Sequence, residues 1–317
     1  MQIAAEILTL KNCPYFRVHQ ELISDHSSLY SFSNEGFASI PRSWRQTKEL
    51  HPELDDFLEK NKDLLARYQD ELVRWENHFG IFTTTPFDQN FPLLLRKMKS
   101  RPWLLFYKGS EIWKEAGFLS VVGSRDMTSE TAEWIELELM SFLRASGAGI
   151  VSGGARGVDL KSHQAALKAQ CPTVAFLPSG LQQMYPADFA SCAQMILDKG
   201  GALISEYEPM VEMRKQYFIA RNRLIASMGI ATLIVQAHVR SGTMLTAQHA
   251  VNEGRSVFVV PGHPQSPKYS GNLKLLNEGA TLLCGAQELI MYYKSESLVD
   301  LSSHTRFSSF EDRNLPI

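Results

Sequence analysis

Residues 118–159 read FLSVVGSRDMTSETAEWIELELMSFLRASGAGIVSGGARGVD, and the order of apolar residues within them decides the fold. Leu119–Val122 is a short apolar run closed by glycine. Glu130–Leu143 carries apolar residues at helical period, and Gly149–Val151 is a second short apolar run. Short runs that are mostly apolar and do not alternate fit strands buried on both faces, and the helical stretch between them fits a crossover. The alternation continues downstream, with apolar runs at Val174–Leu177, Ala202–Ile204, Leu233–Val235, Val257–Val260 and Thr281–Leu283. Helical stretches separate several of them: Leu160–Ala169, Ala187–Leu197 and Thr243–Glu253. Repeated strand–helix–strand units predict an α/β chain with a mostly parallel sheet covered on both faces by right-handed crossovers.

The flanks have a different texture. Leu54, Phe57, Leu58, Leu65, Tyr68, Leu72, Trp75 and Phe79 recur at three, four and seven, which is one face of an amphipathic helix. Gly36, Pro41 and Pro52 divide the preceding stretch into short pieces, so residues 1–80 are read as a small helical N-terminal domain. Residues 81–293 form the main domain, with 81–117 as an extended, proline-bounded lead-in. From Lys294 the chain is polar and rich in serine, and 294–317 is read as a disordered tail.

Bulk properties exclude several classes. The 317 residues are 44% hydrophobic and 21% charged, ordinary for a globular protein. No run approaches a membrane span, and the first twenty residues lack the basic-then-apolar order of an export signal. Cys13, Cys171, Cys192 and Cys284 lie far apart without CxxC spacing, which predicts reduced thiols in a cytoplasmic protein and neither a metal site nor a disulfide framework. The formal net charge is −2, so any nucleic-acid site must be a local concentration of Arg and Lys.

In an open parallel sheet, ligands bind where the carboxyl ends of strands pass into loops. Those loops carry Gly123-Ser124-Arg125, then Ser152-Gly153-Gly154-Ala155-Arg156-Gly157, then Pro178-Ser179-Gly180-Leu181. Further on come Ser205-Glu206-Tyr207 with Lys215, Phe218, Arg221, Asn222 and Arg223, and finally Ser241-Gly242-Thr243. Glycine and serine let backbone N–H groups approach an anion, and helix N-termini favour phosphate. Arg125, Arg156, Arg221 and Arg223 add charged donors. Phe218 beside Lys215 offers a face on which a base can stack. Phosphate donors with a stacking surface suit a single strand, because a duplex hides its base faces.

Each piece also has a plain structural reading. SGGARG can be a tight turn, and it is neither a Walker loop nor GxGxxG. Arg221-Asn222-Arg223 can be a solvated helix start, Phe218 can be core, and Ser241 can cap its helix. Asp159 and His163 are one turn apart, a spacing that suits an acid–base pair, yet the structural role is favoured; Glu206 is the best remaining acid and has no evident partner. No catalytic residue, metal or cofactor is assigned.

Taken together, the strings VVGSR, SGGARGVDLKSHQAAL, TVAFLPSGLQQMYP, GALISEY, FIARNRLIA, SGTMLTAQHAVNEGRSVFVVPG and NLKLLNEGATLL resemble the DprA/Smf family of DNA-processing proteins. That resemblance implies an extended Rossmann-like, doubly wound domain without catalytic activity. It also implies binding of single-stranded DNA, homodimerisation through the later part of the core, and loading of the RecA recombinase during natural transformation. It assigns the strand's pocket to Arg125, to Ser152–Gly157, and to Lys215, Phe218, Arg221 and Arg223. Ile219 departs from the family's usual proline and Gln182 from its frequent aspartate. Gln236 replaces a usual acid, which is expected to soften the pocket's negative charge. The family's frequent C-terminal winged-helix domain is not expected here. Two rival readings remain open: a Rossmann-like nucleoside-monophosphate hydrolase of the lysine-decarboxylase-like group, and a nucleotide sensor without turnover. The first requires an acid that the SGTMLT segment does not supply at the needed place.

Overall fold

The computed structural model describes residues 1–13, 52–98, 100–114 and 117–303. Gly36, Pro41 and residues 304–317, on which part of the sequence reading fell, lie outside them. The N-terminal part supplies α1 (Gln2–Leu10), α2 (Pro52–Lys60) and α3 (Lys62–Phe79). The single helix expected over Leu54–Phe79 is therefore two. Asn61 breaks it: its side-chain amide donates to the Phe57 carbonyl at 2.8 Å, and its backbone leaves helical geometry. Gly80, left-handed at φ 61°, then ends α3.

The lead-in is not a mere connector. It holds β1 (Phe82–Thr84), the short α4 (Leu93–Arg96) and β2 (Leu105–Gly109), and the two strands pair antiparallel with each other. The rest follows the alternation read above. After β3 (Phe118–Val122) comes α5, made of Ser129–Trp134, a π-helical turn Ile135–Leu139 and Met140–Ser146. Then follow β4 (Gly149–Ser152), α6 (Val158–Lys168), β5 (Thr173–Phe176), α7 (Ala190–Asp198) and β6 (Ala202–Ser205). The chain continues with α8 (Lys215–Met228), β7 (Ala231–Ile234), α9 (Gly242–Asn252) and β8 (Ser256–Val259). It finishes with α10 (Ser270–Asn277), β9 (Thr281–Leu282) and α11 (Ala286–Ser303). Helix α11 runs past Lys294 into the expected tail. Its first turns are anchored by buried Leu289, by Tyr292 edge-on to Phe258 at 5.0 Å and by Tyr293 edge-on to Phe142 at 5.9 Å.

Among the described residues the strands form one nine-stranded sheet in the order β1-β2-β6-β5-β4-β3-β7-β8-β9. From β6 to β9 every neighbouring pair is parallel, and β2 joins β6 antiparallel. The chain winds outward from β3 to β6, then returns to β7 on the other side of β3. The direction of winding thus reverses between β3 and β7, and the crevice for ligands in such sheets lies at that reversal. Successive strand residues face opposite layers, as the pleat requires. Phe118 and Val122 of β3 join an apolar cluster with Leu224 and Ile225 of α8 and Ala247 of α9. Leu119 and Val121 join Ile135, Leu139 and Phe142 of α5 on the other side.

Helices α1–α3 share a third cluster with the sheet: Ile7, Leu8, Leu72 and Trp75 pack with Phe106, Leu177 and Leu203. Burial is contiguous across residue 80. No described helix is long and apolar enough to cross a membrane. The Trp75 ring meets Phe106 edge-on at 5.6 Å between centroids. Replacing Trp75 by Ala is expected to cost about 3–5 kcal/mol, read as a lowered midpoint in urea for the whole chain.

Candidate nucleic-acid interface

At the reversal point the loops after β3 and β4 interlock. A Cβ on Gly157, which sits at φ 77°, would lie 2.2 Å from the Ser124 carbonyl oxygen, so this close approach needs glycine. The amide of Val158, at the start of α6, donates to that same oxygen at 3.1 Å. Thus Arg125 and Arg156 are carried on touching loops.

Helix α8 brings its first turns to the same place. Arg221 is buried, and its Nη1 donates to the carbonyls of Gly153 at 2.6 Å and Phe176 at 2.5 Å. A Cβ on Gly153 would stand 2.2 Å from that nitrogen, so glycine there makes room for the guanidinium. Burial pushes the Arg221 pKa down to about 10, opposed by the carboxylate of Asp159 and aided by Arg125. One turn earlier, Phe218 carries the guanidinium carbon of Arg125 at 5.0 Å and that of Arg221 at 5.7 Å from its ring centre. Tyr185 stands edge-on to the ring at 5.8 Å. Arg125 and Lys215 are exposed, and Phe218 is half-buried.

The remaining candidates divide by what their polar atoms already do. Arg156 is exposed and pairs with Asp188. Arg223 donates to Glu206 at 2.6 Å, and both side chains are largely buried. That pairing neutralises the acid left over from the sequence reading. Asn222 donates to the Gly242 carbonyl at 3.3 Å, tying α8 to the start of α9. Ser152 is buried, its hydroxyl turned into the sheet to donate to the Val121 carbonyl at 2.6 Å. Gly153 and Gly154 are buried, while Ala155 is half-buried. Ser124 folds its hydroxyl back onto the Asp126 backbone. Ser241 occupies the N-cap position of α9 without making a side-chain cap, contrary to its plain reading, and its hydroxyl is buried without a partner. Thr243 is buried beside exposed Gly242.

Gln236 does not face the crevice. It is wholly buried beneath the 123–128 loop, so its replacement of an acid bears on hydrogen bonding rather than on the pocket's surface charge. Tyr217 and Arg214, not among the sequence candidates, also belong here, together with Tyr207 of the 205–207 loop. Tyr207 and Tyr217 stack at 3.9 Å, with Arg214 at 5.9 Å from the Tyr217 ring. The available signal was the interleaving of Arg and Lys with Tyr and Phe over 214–223.

Asp159 and His163 are structural. Burial raises the Asp159 pKa against the pull of nearby Arg221, and the carboxylate accepts from the Ala155 amide at 3.4 Å. His163 is completely buried, with Nδ1 2.6 Å from the Thr173 hydroxyl. Burial, then the charge of Arg221, lowers its pKa to about 3. An unfolded imidazole takes up its proton near pH 6.5. Between these values the unfolded state holds the extra proton, so the stability contributed by neutral His163 is full above about 6.5 and declines as pH falls towards 3. His163→Asn removes that titration. Urea midpoints measured from pH 7 to pH 4 are expected to fall less steeply in this variant than in the parent.

Comparisons with known proteins identify the family. The family model described as DNA recombination-mediator protein A matches residues 82–294. The DNA processing protein DprA of Bacillus subtilis is 29% identical over 260 residues, 82% of this chain and 84% of that protein. The crystal structure of DNA processing protein A from Streptococcus pneumoniae superposes with a TM-score of 0.69 at 26% identity, covering 96% of this chain and 98% of that one. DNA processing protein A from Helicobacter pylori, studied for its single-stranded-DNA binding mode, gives 0.61 at 29% identity over 69% of this chain and 98% of that one. The family match runs from β1 into α11 and takes in each loop that meets at Phe218, so this chain belongs to the DprA/Smf family.

Proposed function

We propose that this chain binds single-stranded DNA at the β3/β7 reversal and acts as a recombination mediator that loads RecA on incoming strands in the cytoplasm. The observation that carries the reading is the Phe218 ring flanked by the guanidinium groups of Arg125 and Arg221 at 5.0 and 5.7 Å. An aromatic face beside exposed cations suits an unpaired base and its phosphate. Arg125, Lys215 and Arg156 are the proposed phosphate donors, and Phe218 the stacking surface. Arg221 acts from beneath, holding the Gly153 turn and the ring together. Ser152 and Arg223 shape the site through Val121 and Glu206. Family membership and the likeness to the Helicobacter pylori protein support the choice of ligand. Family membership also supports RecA as partner and a homodimer as the working form.

We assign no catalytic step. Asp159, His163 and Glu206, the candidates for proton transfer read from the sequence, are each engaged with Arg221, Thr173 or Arg223.

Fluorescence anisotropy with a labelled oligo(dT), run at several salt concentrations, tests the reading. Arg125→Ala is expected to weaken binding by about tenfold and to reduce the slope of log affinity against log salt by about 0.7, the value for one phosphate contact on a single strand. Phe218→Ala is expected to cost about 1–3 kcal/mol at every salt concentration with an unchanged slope. Equal affinity for mononucleotide and oligonucleotide, or release of free base from nucleotides, would overturn the reading.

A further inference from the structure

The loop that carries Arg125 is held from a part of the chain far away in sequence. Gln236, just after β7, accepts the Ser124 amide on its backbone carbonyl at 2.7 Å. Its side-chain Oε1 accepts the Thr128 amide at 2.9 Å and the Thr131 hydroxyl at 2.6 Å, and its Nε2 donates to the Asp126 carbonyl at 3.1 Å. One buried glutamine therefore holds the turn at three points, its backbone carbonyl at Ser124 and its side chain at Asp126 and Thr128, together with the first turn of α5.

Tyr269, in the connection between β8 and α10, completes this arrangement. Its hydroxyl lies 2.7 Å from the Thr131 oxygen and 3.2 Å from that of Thr128. Thr131 has a single proton, directed at Gln236, so Tyr269 is the donor to Thr131. The chain of donation runs from Tyr269 through Thr131 to Gln236. The same connection grips the loop from outside, where Lys268 pairs with Asp126 at 2.8 Å. It is itself anchored by buried Asn272, which accepts the Ala237 amide at 2.6 Å and donates to Val235 at 3.1 Å and Val260 at 2.8 Å. The Tyr269 ring rests against Gly262, where a Cβ would come within 2.0 Å of it.

We propose that Tyr269 and Gln236 are positioning residues for strand recognition: they hold the 123–128 turn so that Arg125 lies over Phe218, where it meets phosphate. This deepens the reading of single-strand binding and rests on it. Neither residue touches the strand. An uncharged phenol and an amide so placed change affinity through the reach of Arg125, and their removal must register as the loss of one phosphate contact rather than as a general weakening.

Tyr269→Phe removes one hydroxyl and keeps the ring. In the free protein, hydrogen exchange at the Ser124 and Thr128 amides is expected to quicken while the amides of β4 and β5 keep their protection. With oligo(dT), affinity is expected to fall about three- to tenfold and the salt slope by up to about 0.7. In an Arg125→Ala background the same change is expected to cost nothing further, since its effect runs through that side chain. Gln236→Glu keeps both accepted bonds but loses the donation to Asp126 and is expected to bind between the parent and Gln236→Leu, which is expected to lose at least as much as Tyr269→Phe. Losses of Tyr269→Phe and Arg125→Ala that simply add, an unchanged salt slope, or unchanged amide exchange would each overturn the proposal. Failure of the unaltered protein to bind oligo(dT) would instead overturn the reading of single-strand binding, and the exchange measurement would still decide whether the turn is held from Tyr269.

Discussion

A guanidinium buried among backbone carbonyls is the constraint around which this molecule is arranged. Arg221 projects from α8 under the glycine turn that follows β4 and bonds the carbonyl at the end of β5. Removing such a group from water is costly unless its donors are matched and a counter-charge is near; Gly153 and Phe176 accept from Nη1 and Asp159 lies near as counter-charge, while Nε stays buried without a hydrogen bond. The consequences spread outward. Gly153 can carry no side chain, α8 has one rotational setting, and Phe218, a turn away on that helix, faces the Arg125 loop. His163, completely buried and next to that positive charge, is held neutral.

The central sheet was legible because its strands are buried on both faces. Each apolar run from β3 to β8 had been placed within a residue or two, since runs that short and that apolar suit covered strands; β9 was placed as closely although Thr281 and Leu282 are exposed. The elements missed are those for which the local pattern is ambiguous. The β1–β2 pair hides in a proline-bounded stretch because it joins the sheet through β6, a partner distant in sequence. Helix α8 was underread because its charged and aromatic residues, Lys215 to Arg223, obscure its apolar side, which emerges only at Leu224 and Ile225. Asn61 divides a strongly periodic stretch through a single side-chain bond that periodicity does not register.

Within the site, the convergence of loops was readable and the division of labour was not. Fold class places Arg125, Arg156 and Arg221 at one edge, but composition alone ranks all of them as phosphate donors. Burial separates them: Arg125 is exposed over a ring, Arg156 is exposed and paired with Asp188, and Arg221 is internal. Arg223 is matched by Glu206 in the same way. Such pairings cancel two of the site's own cations, Arg156 and Arg223, so its surface charge rests on exposed Arg125 and Lys215. The role of Gln236 was the least accessible, since its partners lie more than a hundred residues away and surface charge was the wrong quantity to consider.

The apolar cluster that joins α1–α3 to the sheet affects how the molecule comes apart. Ile7 and Leu8 lie against the same buried surface as Phe106, Leu177 and Leu203. Cutting the chain after Gly80 would leave that face of the sheet wet and adhesive. Heat or denaturant should accordingly dissolve the N-terminal helices and the sheet in one cooperative transition, and a shortened chain beginning at β1 would tend to clump rather than stand alone.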